Sequence, residues 1–172
     1  MLPEEVTRSI GKAEDVRILE VEKGAIRRYA DALDDPNPLY RDEEYARNSK
    51  YGSIIAPPGF FGWPTRWQRG STFPAFPETT VELIIALAKS GYSQIIDGSI
   101  EYEFFYPIKA GDTLSASSAI KDISERKDNA GKAVFVIVDT NYTNQNNESV
   151  AKVRQIFVNR QPASNSREGI ND

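Results

Sequence analysis

The chain has 172 residues, 40% of them hydrophobic and 27% charged, which suits one globular domain with a core of its own. A formal charge of −4 disfavours non-specific binding to nucleic acid or to an anionic membrane. With no cysteine and no histidine, disulfides, thiolate catalysis, metal sites built on those ligands and an imidazole general base are all excluded.

The N-terminus "MLPEEVTRSIGKAEDV" carries charge throughout and has no apolar h-region, so it is not a signal peptide. The longest apolar run, "ELIIALA", is too short to span a bilayer. A soluble, cytoplasmic protein is expected, with no metal and no cofactor.

Taken in chain order, residues 3–12 predict a short helix, with Pro3 in its first turn and Glu4 and Glu5 favouring the positive end of the dipole. "VRILEVE" (16–22) alternates Val16, Ile18 and Glu20 against Leu19 and Val21, the period of a strand. "KGAIRRYADALD" sets Ile26, Tyr29, Ala30 and Leu33 on one helical stripe. That helix stops near Asp34, because Pro36 and Pro38 disfavour helical geometry at Asp35 and Asn37. "RDEEYARNSKYG" predicts a second short helix ended by Gly52.

Residues 53–78 hold both tryptophans together with many of the phenylalanines and prolines. A helix over 57–67, started by Pro57 or Pro58, would place Phe60, Trp63 and Trp67 on one face before Pro64 kinks or ends it. "TTVELIIALAKSG" (79–91) is a further possible helix.

From Ser99 the period falls to 2. "SIEYEFFYP" alternates Ile100, Tyr102, Phe104 and Tyr106; "GDTLSASSAIKDI" alternates Leu114, Ala116, Ser118 and Ile120. "KAVFVIVDTNYTN" follows the turn "DNAG" with Val134, Val136, Val138 and Tyr142 on one face, and "SVAKVRQIFVNR" closes the series. These are long antiparallel strands joined by polar hairpins. An antiparallel sheet with one apolar face needs a helix laid across it, and the aromatic segment 57–67 is the candidate. The polar tail 161–172 is expected to be disordered.

Four pieces in order, "YADALDDPNPLYRDEEYA", "GSIIAPPGFF", "FFYPIKAGDTL" and "VAKVRQIFVNR", resemble the MaoC-like hydratase/dehydratase family of hot-dog proteins. The resemblance implies an α+β hot-dog domain over residues 1–160: an antiparallel sheet wrapped around a central helix, with extra helices between the first strand and that central helix. It implies acyl thioesters of coenzyme A or acyl carrier protein as ligands. The family adds water to a trans-2-enoyl group or removes it from an (R)-3-hydroxyacyl group.

The family's motif, Asp-x-Asn-Pro-x-His, is matched by Asp35, Asn37 and Pro38, with Tyr40 standing where the histidine belongs. Taken alone, "DDPNP" also looks like an ordinary loop of turn formers. Family members commonly carry His-Gly after the "I-A" strand end, where the glycine N–H helps polarise the thioester carbonyl. Here Pro57 and Pro58 take those places, and proline has no N–H to offer. An unperturbed phenol titrates near 10, far above a neutral-pH base.

The resemblance therefore implies a scaffold that has lost its catalyst: an accessory subunit that binds the acyl chain beside a catalytic hot-dog partner. Its substrate-binding residues would be Ala56, Pro57, Pro58, Gly59, Phe60, Trp63 and Trp67. Phe60 and Trp63 also read as core, while Trp67, Phe73 and Phe76 lie past Pro64 and suit a pocket or a subunit interface. Arg66, Arg69 and Lys109 are candidates for the phosphates of coenzyme A, against the plainer reading of solvated charge. Two other readings stay open: an enzyme active alone through Asp35 with Tyr40 as donor, and a ligand-binding or structural dimer without thioester chemistry. Either a homodimer or a heterodimer with a catalytic subunit is expected.

Overall fold

A computed structural model describes residues 2–14, 16–64, 78–128 and 131–162. Helix α1 (Glu4–Thr7) leads into strand β1 (Arg17–Glu20) and helix α2 (Lys23–Ala32). A 3-10 turn (Pro38–Tyr40), helix α3 (Glu43–Asn48) and a two-residue strand β2 (Trp63–Pro64) follow. Helix α4 (Glu78–Lys89) precedes four long strands, β3 (Gln94–Phe104), β4 (Thr113–Asp128), β5 (Gly131–Thr143) and β6 (Ser149–Arg160). They form one antiparallel sheet in the order β2-β1-β4-β5-β6-β3. This is the α+β hot-dog architecture, with α2, the 3-10 turn and α3 as the extra helices between the first strand and α4.

The segment expected to supply the central helix does not. Residues 57–64 make a turn and then β2, which pairs Leu19 with Pro64 and Glu20 with Trp63. Gly59 and Gly62 sit at φ +90° and +87°, where a right-handed helix cannot propagate. Gly62 also runs so close to β1 that a Cβ there would meet the Glu20 carbonyl oxygen at 2.5 Å. The central helix is α4 instead. Its Leu83, Ala86 and Leu87 pack on Ile120, Ile123, Val134, Val136 and Val138 of the sheet.

A second core cluster holds Leu19 and Val21 beside β1, Ala25, Ile26 and Ala30 of α2, Tyr40, Ile54, Phe60 and Leu114. Strand β1 thus buries Leu19 and leaves Ile18 exposed, and the flanking Val21 and Val16 follow the same alternation, one buried and the other exposed. Leu33 is exposed rather than part of the α2 stripe. The helix ends at Ala32, and Asp34, at φ +53°, turns the chain away from the core. The period-2 reading of β4 holds: Leu114, Ala116, Ser118 and Ile120 are all buried, and a bulge between Ile120 and Asp122 hands the inner face to Ile123. Strand β3 starts five residues earlier than expected, at Gln94 instead of Ser99, and every one of its residues is exposed.

Candidate functional site

The "DDPNP" loop is built from side chains bonded to their own backbone. The Asp35 N–H donates to the Ala30 carbonyl at 2.9 Å, closing α2. Asp35 Oδ1 accepts from the Asn37 N–H at 3.0 Å, and Asn37 Oδ1 accepts from the Leu39 N–H at 3.0 Å. Two such Asx turns in a row, with φ fixed at Pro36 and Pro38, leave the loop little freedom. Arg41 clamps it from outside, donating to the Asp35 carbonyl and, at 2.9 Å, to Asp31 Oδ1.

Tyr40 closes the 3-10 turn and is buried in the core. Burial, then the nearby Asp35 carboxylate, push its phenol above the ordinary value of 10.0; the Asn37 side chain opposes them and Tyr51 adds to them. A phenol held in this way is a proton donor and packing group at neutral pH, and it is no base.

The second motif lies against the first. The Ile55 N–H donates to the Leu39 carbonyl at 3.2 Å, tying "IAPP" to the end of the "DPNP" loop. Ala56 N–H bonds the Ile108 carbonyl at 2.8 Å and Ala110 N–H the Ile54 carbonyl at 3.0 Å, so "PIKAG" completes the same patch. Pro57, Pro58 and Gly59 form a turn closed by Phe60 N–H on the Pro57 carbonyl at 3.1 Å.

Aromatic rings gather around that turn. A Cβ on Gly59 would lie 3.0 Å from the Tyr29 hydroxyl and 3.7 Å from that of Tyr102, so both phenols point at this one glycine. Phe60 is buried with its ring 5.2 Å from Tyr29, the core position the sequence allowed for it. Phe61 stacks on Tyr142 at 4.1 Å, and Tyr102 and Phe104 lie 6.0 and 6.2 Å from it. Burial raises the phenols of Tyr102 and Tyr142; Tyr29 adds to the first, and Arg17 opposes the second. The result is a partly exposed apolar patch that carries phenol hydroxyls, suited to an acyl chain with a carbonyl.

The sequence missed Tyr29, Tyr102 and Tyr142 as members of this patch. Tyr102 and Phe104 alternate on one strand face, which is the signal that could have found Tyr102. Trp63 belongs to β2 through its pairing with Glu20, while Trp67, Phe73, Phe76, Arg66 and Arg69 lie outside the described residues. Lys109 bridges to Ile55 and gives its backbone N–H to Asp112 Oδ2 at 2.7 Å. A separate apolar cavity of about 270 Å³ lies between α4 and the sheet, lined by Leu83, Leu87, Ile95, Val136 and Phe157 with Thr80, Asp97 and Asn159. It contains none of the motif residues. Among the described residues there is no cluster of carboxylates able to hold a metal, and no helix is long and apolar enough to cross a membrane.

The family described as "FAS1-like, dehydratase domain region" matches residues 8–153. The chain belongs to that family. It is a MaoC-like hot-dog protein, and a MaoC-like dehydratase from Rhodospirillum rubrum superposes with a TM-score of 0.55 at 25% identity, over 89% of this chain and 94% of that one. The ChsH1-ChsH2 complex from Mycobacterium tuberculosis shares the fold more fully, with a TM-score of 0.76 at 20% identity, covering 92% of this chain and 94% of that one. In sequence the MaoC-like chain is 32% identical over 133 residues to a "Probable enoyl-CoA hydratase alpha subunit" of Thermomonospora curvata. That match takes in 75% of this chain but only 41% of the longer relative. A UPF0336 protein of Thermobifida fusca is 30% identical over 81% of this chain and 83% of its own length.

Proposed function

We propose that this MaoC-like protein is the acyl-thioester-binding, non-catalytic subunit of an (R)-specific enoyl-thioester hydratase or 3-hydroxyacyl dehydratase. One observation carries the reading. The position of the family's histidine holds Tyr40, a buried phenol whose surroundings keep it protonated. Asp35 beside it spends Oδ1 on the Asn37 N–H, a bond that holds the loop's shape. No other histidine exists in the chain to take over.

Binding needs less than catalysis does. The turn Pro57–Gly59, with Phe61, Tyr102 and Tyr142, offers apolar area for the acyl chain and hydroxyls for its carbonyl; Ala56 and Phe60 fix that turn from behind. The catalytic Asp–His pair would then come from a partner hot-dog subunit. The alpha-subunit name of the Thermomonospora relative and the two-component ChsH1-ChsH2 neighbour support such an assembly.

The test is a hydration assay on the purified chain, following loss of enoyl absorbance with crotonyl-CoA and with a longer trans-2-enoyl-CoA. Calorimetric titration of the same thioesters runs beside it. Binding without turnover is the expected result. Turnover by the chain alone that disappears in Asp35→Asn would overturn the proposal in favour of an enzyme working without histidine. Absence of both turnover and binding at near-millimolar thioester would favour a dimer with no thioester chemistry.

A further inference from the structure

The cavity beneath α4 holds none of the residues that serve the thioester patch. Its volume is about 270 Å³, and in its apolar lining Leu83, Leu87 and Val136 are each buried. An apolar cavity of about 150 Å³ stays dry and takes up benzene, so this one has room for a body of about ten carbons. It also lies well away from Gly59. Ile95 lines the cavity and Tyr102 reaches Gly59, and a rise of about 3.3 Å per residue sets the two about 20 Å apart along β3.

One side of the cavity is polar, and that polarity is buried. Asn159 is 2% exposed and stands between Val134 and Ile95 in the sheet. Among the described residues its side chain makes one bond, from Nδ2 to the Val134 carbonyl at 3.5 Å, the outer limit of a hydrogen bond. An amide can accept two bonds and donate two, and leaving a buried one so short of partners is costly. The cavity that Asn159 lines has the space for the missing partner.

Thr80 brings a second oxygen to the lining. Its hydroxyl donates to Glu14 Oε1 at 2.5 Å, so what it offers the cavity is a lone pair. Glu14 is itself buried, which keeps water from competing for that bond. The exposed Asp97 adds a carboxylate at the rim. This side of the cavity is therefore rich in acceptors, with the Asn159 amide N–H as its donor. A hydroxyl satisfies both kinds, since its proton goes to an acceptor and its oxygen accepts from Asn159. A carboxylate ligand meets Asp97 with like charge and has no proton to give.

We propose that the cavity between α4 and the sheet is a second binding site, independent of the thioester patch, for a neutral alcohol or phenol with an apolar body of about ten carbons, its hydroxyl bonded to Asn159. Burial of the body against Leu83, Leu87 and Val136 supplies the affinity, and Asn159 supplies the selection.

Three probes that share one ring system test this: 2-naphthol, naphthalene and 2-naphthoate. Each is titrated with the purified chain at neutral pH by probe fluorescence, and NOEs from probe protons to the Leu83, Leu87 and Val136 methyl groups fix its place. 2-Naphthol is expected to bind about fivefold tighter than naphthalene, the worth of one buried hydrogen bond, and 2-naphthoate more weakly than either. Asn159→Leu keeps the size of the side chain and removes its polar atoms. It should bring the two neutral probes to about equal affinity while naphthalene still binds. The wild-type series and its NOEs decide the matter even where that variant does not fold. Equal affinity of wild type for 2-naphthol and naphthalene would overturn the proposal, as would NOEs to Phe61 and Tyr142 instead, or a cavity that holds water and no probe. Saturating crotonyl-CoA and a longer trans-2-enoyl-CoA should each leave 2-naphthol binding unchanged. Displacement by the longer thioester makes the cavity the far end of the acyl groove and refutes its independence. Naphthol binding in a chain that binds no thioester removes the proposed function and leaves this site standing.

Discussion

In an Asp35→Asn variant the amide oxygen still accepts from the Asn37 N–H, so the first Asx turn survives while the carboxylate disappears. In Asp35→Ala the acceptor itself is gone. The pair of variants separates a chemical role for Asp35 from a structural one. The bond is 3.0 Å long and part-buried, and losing one such acceptor costs about 1 kcal/mol. For a chain of this size that is a fall in Tm of about 2–4 °C. Asp35→Ala should show that fall in differential scanning fluorimetry, and Asp35→Asn should melt within about a degree of wild type. Both should bind crotonyl-CoA with nearly unchanged affinity, because the Leu39–Ile55 bond that holds the turn at Gly59 does not involve the Asp35 side chain. A stable Asp35→Ala protein would refute the claim that this carboxylate holds the loop. Wild-type turnover lost in Asp35→Asn at unchanged Tm would refute the claim that it does nothing else.

Three further variants probe other parts of the structure. Gly59→Ala forces a methyl group into φ +90° and 3.0 Å from the Tyr29 hydroxyl, so it should cost about 1–2 kcal/mol in urea denaturation and weaken acyl-CoA binding in calorimetry. Tyr92 donates its hydroxyl to Glu125 Oε2 at 2.6 Å, and its phenol is pushed up to about 12 by that bond, by burial and by the Glu125 charge. The native state therefore holds this proton more tightly than the unfolded chain, and the stability it contributes is present below pH 10 and lost as pH rises toward 12. Tyr92→Phe should lose about 1 kcal/mol at neutral pH, after allowing for solvent screening of the bond, and should show a shallower alkaline decline in urea midpoint. The two-pronged bond from Arg154 holds the Asp139 carboxyl below its ordinary 3.8, so its contribution is present above that value and lost as pH falls through the depressed one. Asp139→Asn should cost about 0.5–1 kcal/mol at neutral pH and flatten that part of the acid limb.

The strands and α2 were legible because each declares itself by a local period. Val134, Val136 and Val138 point inward as alternation requires, and Ile26 and Ala30 as a helical stripe requires. The central helix was misplaced because clustered aromatics in "PPGFFGW" outweighed two glycines whose backbone angles break a helix. The plainer run "VELIIALA" carried the spacing that counts, with Leu83 and Leu87 four apart on one face. At the site, the loop and the "IAPP" turn were visible as motifs. Their link through Leu39 and Ile55, and the approach of Tyr29, Tyr102 and Tyr142 to the same turn, join residues spread along the chain from position 29 to position 142. No local period encodes that meeting.

The shape of the "DDPNP" loop has a physical explanation in its bonds. Asp35 and Asn37 each cap a backbone N–H, and Pro36 and Pro38 limit the conformations of the unfolded chain. Tyr40 fills the core between α2 and Ile54, and the Leu39 carbonyl receives the Ile55 N–H that anchors the neighbouring turn. None of these contributions requires a proton to move. The buried tyrosine at position 40 serves the packing. The proposed ligand patch is built from Gly59, Phe61, Tyr102 and Tyr142, and that dependence runs one way: the patch needs the Leu39 carbonyl to hold "IAPP" in place, whether or not the loop catalyses anything.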